Sequence, residues 1–136
     1  MRIFTLIFVL VLSLQCTNKK LPKGEPTLEG SWQLVELTGF EYSLEGANGN
    51  PVLIVKLDAK TYNGHTGCNS MSGTLLDTKS GIRFSDALMT RMACNDEGLE
   101  QAYLIALRSF TSYRFEGSRL VLMDNDKTLA VFEPRK

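Results

Sequence analysis

Residues 95–110 read NDEGLEQAYLIALRSF, and residues 113–133 read YRFEGSRLVLMDNDKTLAVFE. The hydrophobic period changes between the two stretches, and that change decides the fold. In the first, Leu99, Ala102, Tyr103, Ala106, Leu107 and Phe110 recur at three- and four-residue intervals. Such spacing lays one broad apolar stripe along a helix. Asn95 is placed to cap its start, and Asp96 and Glu97 suit the positive end of the helix dipole. Glu100, Gln101 and Arg108 lie largely off the stripe. The stripe itself reads as core rather than as a lipid or cofactor slot. In the second stretch, the short runs 113–116, 120–123 and 128–133 are separated by Gly117-Ser118 and by DNDK at 124–127. Strand-length runs with turn chemistry between them form an antiparallel meander.

Upstream the pattern is again that of short strands. SWQLVELT at 31–38 places Trp32 and Leu34 on one face and Val35 and Leu37 on the other. Residues 40–50 form a loop rich in Gly and Asn. VLIVKL at 52–57 turns Leu53, Val55 and Leu57 to one side and Val52, Ile54 and Lys56 to the other. Further strands are expected at 61–62, 73–77 and 82–85, with TKSG at 78–81 as a hairpin turn. Gly64, Gly67 and Gly73 predict bulges or tight turns between 63 and 73. The fold class is therefore α+β, with one α-helix packed on a curled antiparallel β-sheet of about seven or eight strands.

The 136 residues suit one domain, and 15 Lys+Arg balance 15 Asp+Glu. With 43% hydrophobic and 22% charged residues, the chain is neither a disordered polymer nor a coiled-coil rod. Three cysteines are too few for a disulfide-dense miniprotein. Zero net charge also argues against a nucleic-acid-coating protein, so no nucleic-acid partner is expected.

The N-terminus is a separate unit. Met1 and Arg2 precede an almost wholly apolar run, IFTLIFVLVLSL at 3–14. At about 1.5 Å per residue it falls well short of a bilayer core of about 30 Å. It fits the h-region of a secretory signal peptide instead. Ser13-Leu14-Gln15-Cys16 follows in register and resembles a bacterial lipobox, although Gln15 stands where that pattern usually has Gly, Ala or Ser. Cleavage before Cys16 would leave a diacylglyceryl cysteine at the mature N-terminus. An ordinary signal peptide followed by an incidental cysteine is the alternative. Residues 17–28, TNKKLPKGEPTL, show no sustained periodicity and read as a flexible tether. The expected organisation is a signal peptide at 1–15, a lipidated tether at 16–29 and a folded domain at 30–134.

Three motifs of that domain form a familiar set: GSWQL at 30–34, TGCN at 66–69 and TRMAC at 90–94. Together with the LVL and LAVF runs of the C-terminus, this order resembles the META domain, or HslJ-like, family of bacterial envelope and secreted proteins. The resemblance covers about 30–133 and implies an incomplete barrel wrapped against a helix. It also implies associations with heat or antibiotic stress, motility and secretion, and it brings no catalytic set. Two cysteines of the family are thought to be bridged, and Cys68 and Cys94 match their positions. Export to an oxidising compartment agrees with this, because lipidation of Cys16 leaves Cys68 and Cys94 as an even pair. Two buried free thiols are the alternative.

His65, three residues before Cys68, raises the idea of a metal or nucleophile cluster with Cys68 and Cys94. A structural zinc site needs four ligands, and a Cys–His nucleophile would compete with the bridge. No catalytic residue, metal ligand or cofactor-binding residue is therefore assigned. Asp86, Asp96, Glu97 and Glu100 are expected to pair with nothing beyond the helix cap, and Arg91 to form a salt bridge, with a partner contact as the alternative. The expected protein is a non-enzymatic binding or interaction module, monomeric and without cofactors. Its lipid on Cys16 would hold it at the membrane, most simply the outer membrane facing the periplasm, with an envelope protein as partner. A lipid or hydrophobic-ligand carrier with a cavity between helix and sheet is the alternative. A small redox or metal-handling enzyme using Cys68 and Cys94 ranks third.

Overall fold

A computed structural model describes residues 25–136. The signal-peptide reading of 1–15, the lipidation of Cys16 and most of the tether lie outside the described residues. Among those residues there are nine strands and one helix. β1 (Gly30–Leu37), β2 (Val52–Lys56), β3 (Thr61–His65) and β4 (Ser70–Thr78) come first. β5 (Gly81–Phe84), β6 (Leu88–Met89) and α1 (Leu99–Ser109) follow, and β7 (Ser112–Glu116), β8 (Arg119–Asp124) and β9 (Lys127–Pro134) complete the chain. Every pairing is antiparallel, and the sheet runs β5-β4-β3-β2-β1-β9-β8-β7 with β6 beside β4. The sheet curls but β5 does not pair with β7, so this is an unclosed α+β architecture.

α1 fills the inside of the curl and touches β1, β5, β8 and β9. Its stripe does what the periodicity requires: Leu99, Tyr103, Ala106, Leu107 and Phe110 are buried. They meet Leu34, Leu53, Leu120, Leu122 and Phe132 from the sheet, all fully buried. Phe110 stands where the sheet fails to close. Its ring lies 5.0 Å from that of Phe84, and the Arg83 guanidinium sits 5.9 Å from the ring and donates to the Phe110 carbonyl. An aromatic plug thus takes the place of the missing ladder.

Several local features differ from the sequence expectation. Leu37 faces the main core with Trp32 and Leu34, not the opposite side. A β-bulge between Leu34 and Glu36 is the cause: Leu34 pairs with Phe132 and Glu36 with Val131, so Val35 is an extra residue and the alternation shifts phase. Val35 packs instead with Val121, Met123 and Val131 on the other face of the sheet. Gly64 and Gly73 lie inside unbroken ladders rather than at bulges. Gly73 pairs with Tyr62, whose ring crosses it so closely that a Cβ there would stand 2.5 Å from a ring carbon.

The helix also begins later than expected. Glu97 (φ 53°) and Gly98 (φ 88°) form a left-handed turn closed by the Leu99 N–H donating to the Asp96 carbonyl at 2.9 Å. Asn95 is exposed and does not cap α1. The Asp96 carboxylate accepts the N–H groups of Gly98 (3.1 Å) and Glu100 (3.0 Å) instead. Leu28, placed in the tether by its sequence neighbours, is buried in the core, and its carbonyl accepts the Trp32 indole N–H at 2.9 Å. The two-residue strand β6 has no counterpart in the sequence reading.

Candidate functional site

The three motifs converge on one corner of the molecule. β3 and β4 are joined by a tight turn at 66–69, in which the Thr66 N–H donates to the Asn69 carbonyl at 2.9 Å. The Thr66 hydroxyl accepts the Asn69 N–H in return at 3.0 Å. A loop from the β1–β2 connection packs against this turn. The Asn48 N–H donates to the Gly67 carbonyl at 2.8 Å, and its side-chain amide donates to the Cys68 carbonyl at 2.6 Å. That approach requires Gly46, where a Cβ would stand 2.5 Å from the Gly67 carbonyl oxygen. Cys68, buried within the turn, is bonded to Cys94, with 6.0 Å between their Cα atoms.

Asn69 is the centre of this corner and is almost wholly buried. Its Oδ1 accepts the Met92 N–H at 2.7 Å and the Thr90 hydroxyl at 2.9 Å. Its Nδ2 donates to the Met92 carbonyl at 3.2 Å and to the Glu100 carboxylate at 2.9 Å. The side-chain amide therefore acts as a strand edge for a segment that has little regular structure of its own. Thr66, fully buried, donates its hydroxyl to the same Glu100 carboxylate. Glu100 thus ties α1 to the β3–β4 turn, contrary to the expectation that its carboxylate pairs with nothing. Buried polar groups satisfied in this way specify one arrangement of the chain.

The geometry leaves little free chemistry here. The Cys68 sulfur is committed to the bridge, and among the described residues no group of three or more His, Cys, Asp and Glu is placed to hold a metal. His65 lies at the end of β3, and its Nδ1 accepts the Gly67 N–H at 3.2 Å. Partial burial holds its pKa below the ordinary 6.5, and the charge of Arg135 pushes the same way. Burial raises the Tyr62 pKa, offset in part by the hydrogen bond it donates to the Ser85 carbonyl. Burial also raises the pKa of Tyr103, whose hydroxyl has no hydrogen-bond partner. The salt bridge expected of Arg91 does not form among the described residues, and its side chain is exposed. Asp86, also expected to be unpaired, lies 3.7 Å from Arg108.

A second feature adjoins the corner. Between residues 85–89 and α1 lies a cleft of about 180 Å³, floored by Tyr62, Ala87, Met89, Leu104 and Leu107, with Asp86 and Arg108 also lining it. Beyond it Leu88 is 79% exposed and Met92 52% exposed, a high exposure for large apolar side chains. This face carries no hydrophobic period in the sequence, because residues 85–98 hold only the short strand β6. No helix among the described residues is long and apolar enough to cross a membrane.

Known proteins place this arrangement. A protein from Burkholderia xenovorans, solved by NMR, shares the fold at a TM-score of 0.62 and 21% identity, over 79% of this chain and 83% of that one. A DUF4847 family protein from Bacteroides vulgatus, known from a crystal structure, does so at a TM-score of 0.55 and 16% identity, over 79% and 94% respectively. At such identities the likeness establishes the fold alone. No curated protein matches the chain. The META domain model matches residues 25–136, from ahead of the buried Leu28 to the end of the chain, and takes in TGCN, TRMAC and the helix they hold. With that match across most of its length, the chain belongs to the META domain family.

Proposed function

We propose that the protein is a lipoprotein of the bacterial cell envelope, a non-enzymatic binding module that supports stress tolerance or the assembly of other envelope components. The diacylglyceryl group on Cys16 holds it at the outer membrane, facing the periplasm. One observation carries the binding reading. The polar and sulfur groups of the TGCN corner are used in holding residues 90–94, while Met92 within that segment is 52% exposed and Leu88 just before it 79% exposed. Exposed apolar side chains next to a rigid support are the pattern of a recognition surface. The test is lipid labelling and membrane fractionation of wild type and Cys16→Ala, followed by crosslinking in intact cells. Labelled, membrane-bound wild type with a specific crosslinked partner is expected. Equal labelling or equal membrane retention of the variant would overturn the anchor.

A second reading, carriage of a small hydrophobic ligand, is favoured by the cleft of about 180 Å³ between α1 and residues 85–89. Its measure is extraction of the purified protein and mass spectrometry of any lipid that travels with it.

A further inference from the structure

One end of the sheet is β7, and its outer edge is open. β7 pairs with β8 on one side, and β5 does not pair with it on the other. Gly117-Ser118 is a two-residue turn, so the flanking pair Glu116 and Arg119 exchanges hydrogen bonds and the pattern alternates along the hairpin. Tyr113 and Phe115 therefore turn their N–H and C=O groups away from β8, and none of the four finds a partner among the described residues. Arg83 fills the gap at the Phe110 end, which leaves the run from Tyr113 to Gly117 free. We propose that β7 pairs antiparallel with β7 of a second copy of this chain, Phe115 opposite Phe115 at the two-fold axis, so that one sheet continues through both domains. This goes beyond the reading of the domain as a binding module and replaces the monomer expected from sequence.

Charge selects a second copy, and it selects this register. Arg114 and Glu116 share the face of β7 that carries Met123, where the Arg114 guanidinium donates to the Glu116 carboxylate and to the Met123 sulfur, each at 2.9 Å. With Phe115 at the axis, Arg114 of each copy stands opposite Glu116 of the other, in a pair whose Cα atoms lie about 4.5 Å apart. Each guanidinium keeps its own carboxylate and gains a second, and the four charges alternate in sign around the axis. Opposite charges across a strand pair stabilise it, and like charges destabilise it. Sliding the second strand by two residues would set Arg114 against Arg114. Sliding it further would drive it into Arg83 beside Phe110.

The opposite face adds aromatic contact. Trp32, Phe115 and Tyr113 form a row with ring centres 6.0 Å and 5.9 Å apart, and Tyr113 at its end is 38% exposed. Pairing at the axis brings the two Phe115 Cα atoms to about 5.5 Å and runs the row into its mate. β7 also lacks the usual defences of a free edge, for it holds neither a proline nor a bulge. Glu25, Thr27 and Ser118 line one hollow, so the described chain begins beside the β7–β8 turn, at the end of β7 nearer the axis. The two copies therefore begin toward one another, an arrangement compatible with one membrane.

The experiment is sedimentation equilibrium of the full chain as isolated from cells, in density-matched detergent that disperses it with or without lipid on Cys16. The interface is small, so a dimer with a dissociation constant of about 1–100 μM is expected. Arg114→Glu and Glu116→Arg each set like charges opposite one another at both pairs and should weaken it about ten-fold. The double exchange, Arg114→Glu with Glu116→Arg, restores the alternating signs and should return the constant to within about three-fold of wild type. Tyr113→Pro removes an N–H that β8 does not use and should abolish dimerisation while the hairpin holds. Circular dichroism verifies that every variant remains folded. The proposal is overturned by a wild type that stays monomeric at about 0.5 mM. A dimer that ignores Tyr113→Pro or both single reversals, or one that the double exchange fails to restore, overturns it equally. Loss of membrane retention or of every cellular crosslink would sink the module reading separately and leave this result standing.

Discussion

Asn69 grips Met92 by both edges of its side-chain amide, accepting the Met92 N–H at 2.7 Å and donating to the Met92 carbonyl at 3.2 Å. Across 23 positions of sequence this imitates one rung of a β-ladder. It explains how residues 91–94 are fixed although no strand pairs with them. The disulfide from Cys68 to Cys94 fixes the same segment two residues on.

Asn69→Ala removes the whole grip and leaves the Glu100 carboxylate and the Met92 backbone short of partners. A loss of about 2–4 kcal/mol is expected, larger than for an ordinary hydrogen bond because buried groups are orphaned. Urea denaturation measures it. A change below about 0.5 kcal/mol, the scale of an ordinary surface substitution, would show that the segment is held by other means.

Removing the bridge with Cys68→Ala and Cys94→Ala together is expected to cost on the order of 3–4 kcal/mol, given a sequence separation of 26. The bridge and Asn69 restrain one segment, so their effects should not add. A coupling above about 0.5 kcal/mol in the double-mutant cycle is expected. Strict additivity would mean that the two fastenings act independently.

Gly73→Ala drives a methyl group into the Tyr62 ring, which is backed by Phe84 at 4.9 Å between ring centres. Overpacking of this kind costs about 1–3 kcal/mol. The thermal midpoint should fall, and Tyr62→Ala should relieve the clash. A Gly73→Ala protein as stable as wild type would contradict the packing.

Tyr103→Phe deletes the buried hydroxyl that has no partner, and a gain of about 1 kcal/mol is expected. The pH dependence follows from the same burial, which raises this pKa above the ordinary 10.0. The unfolded chain loses the proton near pH 10 and the folded chain holds it. Stability is therefore complete below pH 10 and declines as the pH rises beyond it. Tyr103→Phe should flatten that alkaline decline, with Tyr62 accounting for what remains. Unaltered alkaline unfolding would contradict the assignment.

His65 works in the opposite direction. Its folded pKa lies below 6.5, so the unfolded chain takes up a proton first on acidification. Its contribution is intact above pH 6.5 and is lost as the pH falls toward the folded value. The effect is shallow because the ring is only partly buried, and His65→Gln should remove it from the profile of stability between pH 7 and 5.

Much of this architecture was legible because its signals are local. The 3.6-residue stripe of α1 and the turns of the C-terminal meander are each written within a dozen residues. The phase of β1 was not, since the bulge at Val35 arises from register against β9, far along the chain. Glu100 illustrates the limit for the site. Off the apolar stripe it reads as a surface acid, yet its partner Thr66 lies 34 positions away. The TGCN and TRMAC motifs marked where the corner lies, but not that Asn69 rather than the cysteines is its hub. β6 escaped notice because two residues carry no period.

The central claim is that the face carrying Leu88 is where a tethered domain meets its partner. Photo-crosslinking from position 88 in intact cells tests it most directly, with position 42 as control because Tyr42 is also exposed, at 60%. A discrete adduct from position 88, absent from position 42 and lost with Cys16→Ala, is the predicted result. Adducts from position 42 alone, or adducts from position 88 that persist when Cys16 is replaced, would contradict it.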